Sequence, residues 1–583
     1  MSPPPWDILL GIEQTCASCG SSFEVTDSDL AFYKKISPVF GGKTYEIPPP
    51  KLCPDCRRQR RFAFRNERNL YRRTCDATGK SIISIHSPDK PYKVFSADAW
   101  WSDQWDPLAF GRSFDFSKTF FEQFSELYRS IPQIALANVQ CENCEYVNQC
   151  GWSKNCYMAF LTDFSEECHY TFLCASSKNC MDSLGLYECE LCYECIDCTR
   201  CYSAFFCRDC SNCSDCFFSS FCRGCRNCFG CTGLRNAQYY WYNEKLTEHE
   251  WKTQIAALRL DATAITRAES EALHKGLAFP RPHATLTNCE HCTGDYLSNC
   301  KNAFACFDGK EIEDSKYIEN VPVRTKDTYD ITGGAGELLY ECFSVGPGYL
   351  SRFCGHCWDG ASDLLYCMLC MNGCKNLFGC IGLKKQSYCI LNKQYTNDEY
   401  EKLAGKIIEH MQRTPHQSPL GSDAGQADEW GEFFPVGLSP FAYNETPAQE
   451  HFPLSQQEVL SKGWKWKEVN DELPYVTRVI NADELPDTSD QIPDDIVNWA
   501  IACATTKRPF RIIKQELEFY RRMKFPVPRL HPDERHRRRL MLRNPRRLWS
   551  RACAKCSQTI QTTFSPDRPE TVYCEKCYME AIY

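Results

Sequence analysis

Long apolar runs and catalytic signatures are both missing from this chain of 583 residues. No apolar stretch approaches the roughly 20 residues of a membrane-spanning helix, and the amino-terminal segment has neither the basic region nor the apolar core of a secretory signal. No P-loop, GxSxG, HExxH or dinucleotide fingerprint occurs, and the 12 histidines are scattered singly. We therefore expect a cytoplasmic protein with no membrane partner, and we identify no catalytic residue and no small-molecule substrate.

Cysteine, by contrast, is abundant, with 42 residues in the chain. Such a count indicates a disulfide framework in an oxidising compartment, or reduced and metal-bound thiols in a reducing one. With a cytoplasmic location expected, the second interpretation is favoured. The missing motifs favour a non-enzymatic protein, although 42 cysteines would hide a single reactive one.

Positive charge is concentrated at two places in a chain whose formal net charge is −8. Residues 51–73 hold nine Lys or Arg and two acids, and residues 507–555 hold seventeen and four. Everything else is strongly acidic. Both basic segments lie beside paired CxxC motifs, so the terminal regions combine cationic surface with metal-type ligands.

The two ends of the chain are copies of each other. Residues 53–95 align without a gap to 531–573, with 17 of 43 positions identical. Each end contains two ribbon-like units in tandem. At the N-terminus the first unit keeps four cysteines and the second is degenerate; at the C-terminus the order is reversed. The degenerate units carry Cys75, Thr78, Ser96 and Ala99, and Cys503, Thr506, His531 and Glu534.

Two CxxC knuckles place four thiolates around one tetrahedral ion, which is the pattern of a structural zinc site. A closed site of this kind stabilises folding and leaves no coordination position for chemistry. The alternative is a set of free or redox-active CxxC pairs. The sequence predicts two Zn²⁺ per chain, bound by Cys16, Cys19, Cys53 and Cys56, and by Cys553, Cys556, Cys574 and Cys577.

One segment of about residues 13–65 carries a family resemblance. Cys16-Ala-Ser-Cys-Gly20, Phe32-Tyr33 and Cys53-Pro-Asp-Cys-Arg57 resemble the treble-clef zinc-binding domain of otherwise uncharacterised bacterial proteins. The loop before Cys53 is longer than is usual in that family. The resemblance implies zinc binding and no known reaction. The chain as a whole resembles cysteine-rich proteins of small-genome bacteria, for which no activity is implied.

A cysteine ladder fills the middle of the chain. From Cys141 to Cys231 lie twenty cysteines whose spacings are all multiples of three, and Ser, Thr or Ala takes most other positions of the grid. A superposed recurrence at every fifteenth position predicts a thin β-solenoid with fifteen-residue coils and small inward side chains. The ladder thiols can be reduced core residues, disulfides or metal and iron–sulfur ligands, and the first interpretation is favoured.

Two further series follow the same fifteen-residue period. The aromatic series is interpreted as a ladder that packs under neighbouring segments, with a platform for nucleic-acid bases as the alternative. The polar series is suited to repeated turns. The aromatic members are Tyr157, Phe172, Tyr187, Tyr202 and Phe217, and the polar members are Asp182, Asp197, Asn212 and Asn227.

The ladder is duplicated in eroded form at an offset of 149, and each copy ends in a capping box. Thr247 with Glu250, and Thr396 with Glu399, predict helices of two or three turns. The predicted fold class is mainly β with some α. In order, we predict a tandem zinc-ribbon-like module at 13–110, a cysteine-ladder solenoid at 111–245, a helical connector at 246–285, a second, eroded ladder at 286–412, a flexible linker at 413–428, an acidic proline-rich region at 429–500 and a second tandem module at 501–583.

The leading functional hypothesis is a non-enzymatic structural zinc protein that binds RNA, DNA or another polyanion through its basic terminal modules. Guanidinium groups match phosphate geometry, but they can equally pair with the acidic remainder of the chain. One alternative is a scaffold that binds protein through the solenoid, and another is a thiol or metal store. The predicted phosphate contacts are Arg60, Arg61, Arg65, Arg68, Arg538, Arg539, Arg543 and Arg546.

Overall fold

The computed structural model describes residues 11–319, 324–357, 360–414, 429–468 and 476–582. Most of the predicted linker at 413–428 lies outside these residues. Parallel β-sheets and helices alternate with short hairpins. The chain forms two compact units, each discontinuous in sequence. Unit 1 comprises residues 1–136, 284–467 and 546–548, and unit 2 comprises 137–283, 468–545 and 549–583.

Each unit contains one terminal cysteine module and one stack of parallel β coils. Unit 1 holds the N-terminal module and the later stack, whereas unit 2 holds the earlier stack and the C-terminal module. The helices of unit 1 are Asp27–Ile36, Pro54–Phe62, Ala97–Trp101, Phe120–Ser130, Asn397–Arg413, Pro447–His451 and Gln456–Ser461; those of unit 2 are Glu248–Ala257, Ala262–Gly276, Lys514–Met523, Pro532–Leu542 and Glu575–Ile582.

Strands of the terminal modules form short antiparallel hairpins and a few parallel pairs. In unit 1 the module strands are Ile12–Thr15, Ser22–Val25, Val39–Phe40, Lys43–Thr44, Tyr71–Thr74, Ser81–Ser84, Val94–Phe95 and Gln133–Ile134; in unit 2 they are Arg281–Pro282, Arg478–Asn481, Trp499–Ala502, Pro509–Phe510, Trp549–Ala552, Thr559–Thr562 and Val572–Tyr573.

The first coil stack spans residues 139–241, and equivalent residues of neighbouring coils are 12 positions apart. Phe160 pairs with Phe172, and Phe172 with Leu184, along one face. Glu190 pairs with Tyr202 at the same separation on another face. The predicted fifteen-residue coil is therefore wrong. The strands are Phe160–Asp163, Phe172–Ala175, Leu184–Tyr187, Glu190–Tyr193, Ile196–Thr199, Tyr202–Phe205, Ser214–Phe217, Arg226–Phe229, Gln238–Trp241 and Glu244–Lys245.

The three-residue grid follows from the backbone. Every third residue from Gln140 to Asn236 has a positive φ, and four such corners close one coil. A left-handed residue costs roughly 1–2 kcal/mol, which the parallel hydrogen bonds between coils offset. The residue after each corner points inward. The inward positions are buried, as the sequence predicts, and one coil carries Cys189, Cys192, Cys195 and Cys198 on its four sides.

Aromatic stacking occurs in this stack, but with a different set of residues. Because a coil closes after four corners, the series at every fifteenth residue steps around the four sides instead of forming a column. The stacked neighbours instead occupy equivalent positions of adjacent coils. They are largely buried, so packing under other segments is favoured over a base-stacking platform. The stacked pairs are Phe205–Phe217 at 5.0 Å, Phe229–Trp241 at 4.0 Å and Phe206–Phe218 at 4.7 Å between ring centroids.

The second coil stack, residues 286–390, is less regular. Ser315 and Thr328 bond between neighbouring coils across 13 positions, whereas Thr328 and Leu339 do so across 11. Its coils therefore differ in length. Its strands are Leu286–Thr287, Gly294–Asp295, Leu297–Ser298, Lys301–Phe304, Cys306–Phe307, Ile312–Lys316, Thr325–Lys326, Gly336–Glu337, Gly348–Arg352, Ser362–Leu365, Lys375–Phe378 and Ser387–Ile390, followed by Lys393–Gln394.

A helix follows each stack, and both predicted capping boxes are confirmed. Thr247 accepts from the backbone of Glu250 and Thr396 from that of Glu399, while each glutamate bonds back to its threonine. The first helix has 10 residues, as predicted, whereas the second continues for 17. No helix among the described residues combines the length and apolar character needed to span a bilayer.

Candidate metal centres

The N-terminal candidate site lies between a hairpin and a helix. Cys16 and Cys19 sit on the turn after strand Ile12–Thr15, and Cys53 and Cys56 lie at the start of helix Pro54–Phe62. The four sulfur atoms lie within 4.8 Å of one another, and those of Cys19 and Cys53 are 3.7 Å apart. A Zn–S bond of about 2.3 Å in a tetrahedron separates sulfurs by ~3.8 Å. The donor set and its spacing therefore fit Zn²⁺.

The C-terminal candidate site repeats this arrangement. Cys553 and Cys556 follow strand Trp549–Ala552, and Cys574 and Cys577 flank the start of helix Glu575–Ile582. All four sulfurs again lie within 4.8 Å, and those of Cys556 and Cys574 are 3.8 Å apart. Both four-cysteine sets predicted from sequence can hold a metal ion. Neither leaves a protein-free coordination position, which suits a structural site.

Hydrogen bonds to sulfur favour thiolates at these sites. A hydrogen bond from Cys56 contributes most to lowering the pKa of Cys53 to about 5. Burial raises the pKa of Cys553, but N–H groups of Cys574 and Cys556 bring it down to about 6. Because the thiolate is the ligand form of cysteine, these N–H donors prepare the sites for a cation.

All four knuckle motifs keep one backbone plan, whether or not they retain four cysteines. The fourth residue after the first cysteine donates its N–H to that cysteine's carbonyl and has a positive φ. Gly20 and Gly79 adopt this conformation freely. The sulfur of the first cysteine accepts an N–H from the start of the second knuckle. These pairs are Cys16 with Cys53, Cys75 with Ser96, Cys503 with His531 and Cys553 with Cys574.

The degenerate motifs keep this plan without a metal-type donor cluster. Among the described residues, only the two four-cysteine sets gather three or more metal-type donors within 4.8 Å. His531 instead caps helix Pro532–Leu542, where its Nδ1 accepts from the backbone N–H of Asp533 at 3.1 Å. Cys75 and Cys503 are buried, so each serves as a small core residue and acceptor of one N–H.

The arginines of helix Pro54–Phe62, called here the N-terminal arginine helix, point into the second coil stack. Arg57 and Arg61 both lie 3.0 Å from the carboxylate of Asp330. Arg60 lies 2.6 Å from Glu341 and 2.8 Å from Glu432. Burial raises the pKa of Asp330, but the two arginines more than compensate and hold it below its ordinary value.

Helix Pro532–Leu542, the C-terminal arginine helix, makes the equivalent contacts with the first coil stack. Arg535 and Arg539 both pair with Asp182, the latter at 3.1 Å. Arg538 lies 3.1 Å from Glu194. Under the sequence alignment of the two ends, Arg57, Arg60 and Arg61 correspond to Arg535, Arg538 and Arg539. Both units therefore join module to coil stack by the same arginine–carboxylate scheme.

Internal pairing corrects the assignment of these arginines to an exposed phosphate-binding face. Seven of the eight predicted contacts have a carboxylate partner inside their own unit, and Arg68 is partly exposed. Six of the seven side chains are at most 9% exposed, and Arg538 is 40% exposed. The remaining partners are Glu67 for Arg65, Asp197 for Arg543, and Asp308 and Glu319 for Arg546.

The acidic partners are not identified by the sequence analysis, although a signal is present. The sequence predicts Asp182 and Asp197 as turn residues, and both do occupy left-handed corners with φ near 50°. Burial of a carboxylate requires a cationic partner. A charged residue at a corner of an otherwise small and apolar stack therefore points to an arginine from another segment.

Ladder thiols bond to the backbone of neighbouring coils. The sulfur of Cys195 lies 3.5 Å from the carbonyl of Tyr193 and 3.2 Å from that of Ala204, and the same two contacts recur along the ladder. Donation to a carbonyl requires a protonated thiol. None of the 42 cysteines is paired in a disulfide. These contacts favour the interpretation of the ladder as reduced core residues.

Comparison with known proteins adds no assignment. No protein-family model matches the chain, and no curated protein matches it. The proposed function therefore depends on the geometry of the described residues.

Proposed function

We propose that the protein is a non-enzymatic scaffold, in which two structural zinc ions and two cysteine-filled solenoids support a surface that binds another protein. The observation that carries this proposal is the internal use of the arginines. Each basic helix is attached to a coil stack by buried ion pairs, so its charge serves assembly of the unit. This leaves the four-cysteine sets as rigid ends of the modules, with no open ligand position for chemistry.

A candidate contact surface lies on the first coil stack. Trp152 and Phe164 stack with 4.9 Å between ring centroids and an interplanar angle of 2°, yet remain 51% and 60% exposed. Val139, which is 43% exposed, pairs with Gly151, the residue before Trp152. Contiguous exposed aromatic and aliphatic groups are typical of protein contact sites. We assign this strip to an apolar segment of a protein partner.

Binding of RNA or DNA stays a prediction that the scaffold proposal competes with. It is tested by titrating labelled single- and double-stranded RNA and DNA with zinc-loaded protein at low and at moderate salt. A scaffold should show no salt-sensitive binding. Binding that weakens steeply with salt would favour the polyanion hypothesis, because each neutralised phosphate releases counterions.

The scaffold proposal has its own positive test. Proteins retained from a lysate of the source cells by the native chain are identified, purified and tested for direct binding. Replacement of Trp152 and Phe164 by Ser should abolish binding of the purified partner, whereas Tyr349→Ser should leave it unchanged; Tyr349 is also exposed, at 45%, but lies on the second coil stack. If no partner binds directly, or if both variants behave alike, the proposal fails.

A further inference from the structure

Outside the two four-cysteine sets, four cysteines are not fully buried, and they form two CxxC pairs. One pair is Cys141 and Cys144, and the other is Cys289 and Cys292; every other cysteine of the two ladders is buried. The pairs lie 148 residues apart, which is also the separation of Asp182 and Asp330. They therefore occupy equivalent positions in the two copies of the ladder.

Both pairs lie in the first coil of their stack, where no earlier coil among the described residues covers the inward side chains. Val139 and Glu142 form bridges only to the following coil, with Gly151 and Lys154. In the second stack, Glu290 pairs forward with Lys301. Later cysteines are covered by coils on both sides. The first coil thus brings a dithiol to the surface at the start of each ladder.

Sulfur atoms within each pair are close enough to interact. The Cys141 thiol hydrogen-bonds the sulfur of Cys144, and Cys289 hydrogen-bonds Cys292. The backbone N–H of Cys156 also donates to Cys144 Sγ at 3.4 Å. Within the described part of the chain, neither pair has a third metal-type donor gathered within 4.8 Å of both sulfurs. The arrangement therefore suits chemistry of two thiols better than metal binding.

We propose that these two CxxC pairs are sites of thiol–disulfide exchange with low-molecular-weight disulfides. The thiolate of Cys144 attacks a disulfide RSSR, forms a Cys144–SR mixed disulfide and expels RS⁻. The thiolate of Cys141 then attacks Cys144 Sγ, forms the Cys141–Cys144 disulfide and expels the second RS⁻. Two thiol protons pass to solvent or to the departing thiolates. RSSR is reduced to two RSH, and the protein dithiol is oxidised. Cys289 and Cys292 react in the same two steps.

The pairs differ in thiolate character, which predicts an order of reaction. Hydrogen bonds from Cys141 and Cys156 lower the pKa of Cys144 to about 3. Burial raises the pKa of Cys292 to about 12. Since the attacking species is the thiolate, the first pair should react before the second at neutral pH.

A dipyridyl disulfide tests the proposal on the zinc-loaded full chain, because the thiopyridone that it releases absorbs light. Each pair should release two thiopyridones and lose two hydrogens without retaining an adduct. In Cys141→Ser, Cys144 should release one thiopyridone and retain the thiopyridyl group, as measured by mass spectrometry. The matched control is Cys192→Ser, a fully buried ladder thiol, which should not alter the fast phase. Zinc release is followed in parallel, so that reaction of the metal ligands is recognised.

Two results would overturn the proposal: a fast phase unaffected by Cys141→Ser and Cys144→Ser, or mixed adducts that persist on the wild-type pairs. If a serine variant loses its fold, the wild-type protein decides the matter. After brief reaction and alkylation of the remaining thiols, peptide mapping should find Cys141 linked to Cys144. Linkage confined to other cysteines would contradict the assignment.

Discussion

Arg539 lies 3.1 Å from Asp182 in unit 2, and Arg61, its counterpart in the aligned sequence, lies 3.0 Å from Asp330 in unit 1. The two aspartates occupy equivalent positions 148 residues apart, and both are fully buried. Duplication has therefore preserved both partners of an ion pair whose members are far apart in sequence. Retention of both partners in the two copies is expected, because loss of one leaves an uncompensated buried charge.

Removal of one buried arginine should destabilise its unit strongly. We expect Arg539→Ala to lower the free energy of unfolding by about 3–5 kcal/mol, since Asp182 and Glu194 would lose their cation in a buried site. The matched control is Arg537→Ala on the same helix, whose 62% exposed side chain pairs at the surface with Glu534; its cost should be at most about 1 kcal/mol. Chemical denaturation measures both, and equal effects would contradict the structural role of Arg539.

Zinc content should distinguish the intact from the degenerate knuckles. Purified without chelator, the wild-type chain should carry two zinc ions, one for each four-cysteine set. Cys53→Ser should reduce this to one, because a tetrahedral thiolate site loses a ligand. Cys75→Ser alters a remnant position outside both sets and should leave the zinc content unchanged. Elemental analysis gives the counts; a wild-type value near zero would refute the metal assignment.

Acid should destabilise unit 1 before its carboxylates titrate. Burial is the main cause that lowers the pKa of His356 to about 3, with a further contribution from Arg65. The unfolded chain binds a proton near pH 6.5, so between pH about 6.5 and 3 the unfolded state holds the extra proton. Stability from neutral His356 is thus present above this window and is lost as pH falls through it, by up to about 1.4 kcal/mol per pH unit.

The measurement is the difference in unfolding free energy between the wild type and His356→Phe, taken at several pH values. The variant cannot gain this proton on unfolding, so its stability should fall less between pH about 6.5 and 3. Parallel curves for the two proteins would show that His356 does not contribute.

Ladder thiols should be reduced and slow to react in the folded chain. We expect native protein prepared under reducing conditions to be alkylated slowly at positions such as Cys195 and Cys198, which are fully buried. After denaturation with a chelator present, all 42 cysteines should titrate as thiols. Thiol counting and peptide mapping provide the check. Finding most of the ladder in disulfides, or finding iron with visible absorbance, would contradict the core-packing interpretation.

Local rules are sufficient for the parts of the fold that depend on neighbouring residues. The spacing of Cys16, Cys19, Cys53 and Cys56 predicts a site because two knuckles need few other contacts to meet. The inward grid is predictable because each left-handed corner places the next side chain inward. Coil length is not, since a coil of four corners and a coil of five corners both keep a period of three. The number of corners that closes a coil is decided by backbone hydrogen bonds between coils.

The arginine partners cannot be found by local rules at all. Arg57 and Asp330 are separated by 273 positions, and Arg539 and Glu194 by 345. Composition shows basic segments and an acidic remainder, but not which carboxylates become buried. Pairing with Asp330 and Asp182 follows from the way each module packs on a coil stack, for which the sequence contains no periodic signal.

The discontinuous units also impose an order on biosynthesis. During translation, Arg57 of the N-terminal arginine helix is added 273 positions before Asp330, so its guanidinium group waits in water for that partner. The first coil stack likewise waits for the C-terminal arginine helix, near the end of the chain. Neither unit can close early, and contacts of such long sequence separation form slowly. A ribosome that stalls between the two stacks would release a chain in which the first module and the first stack both lack their partner.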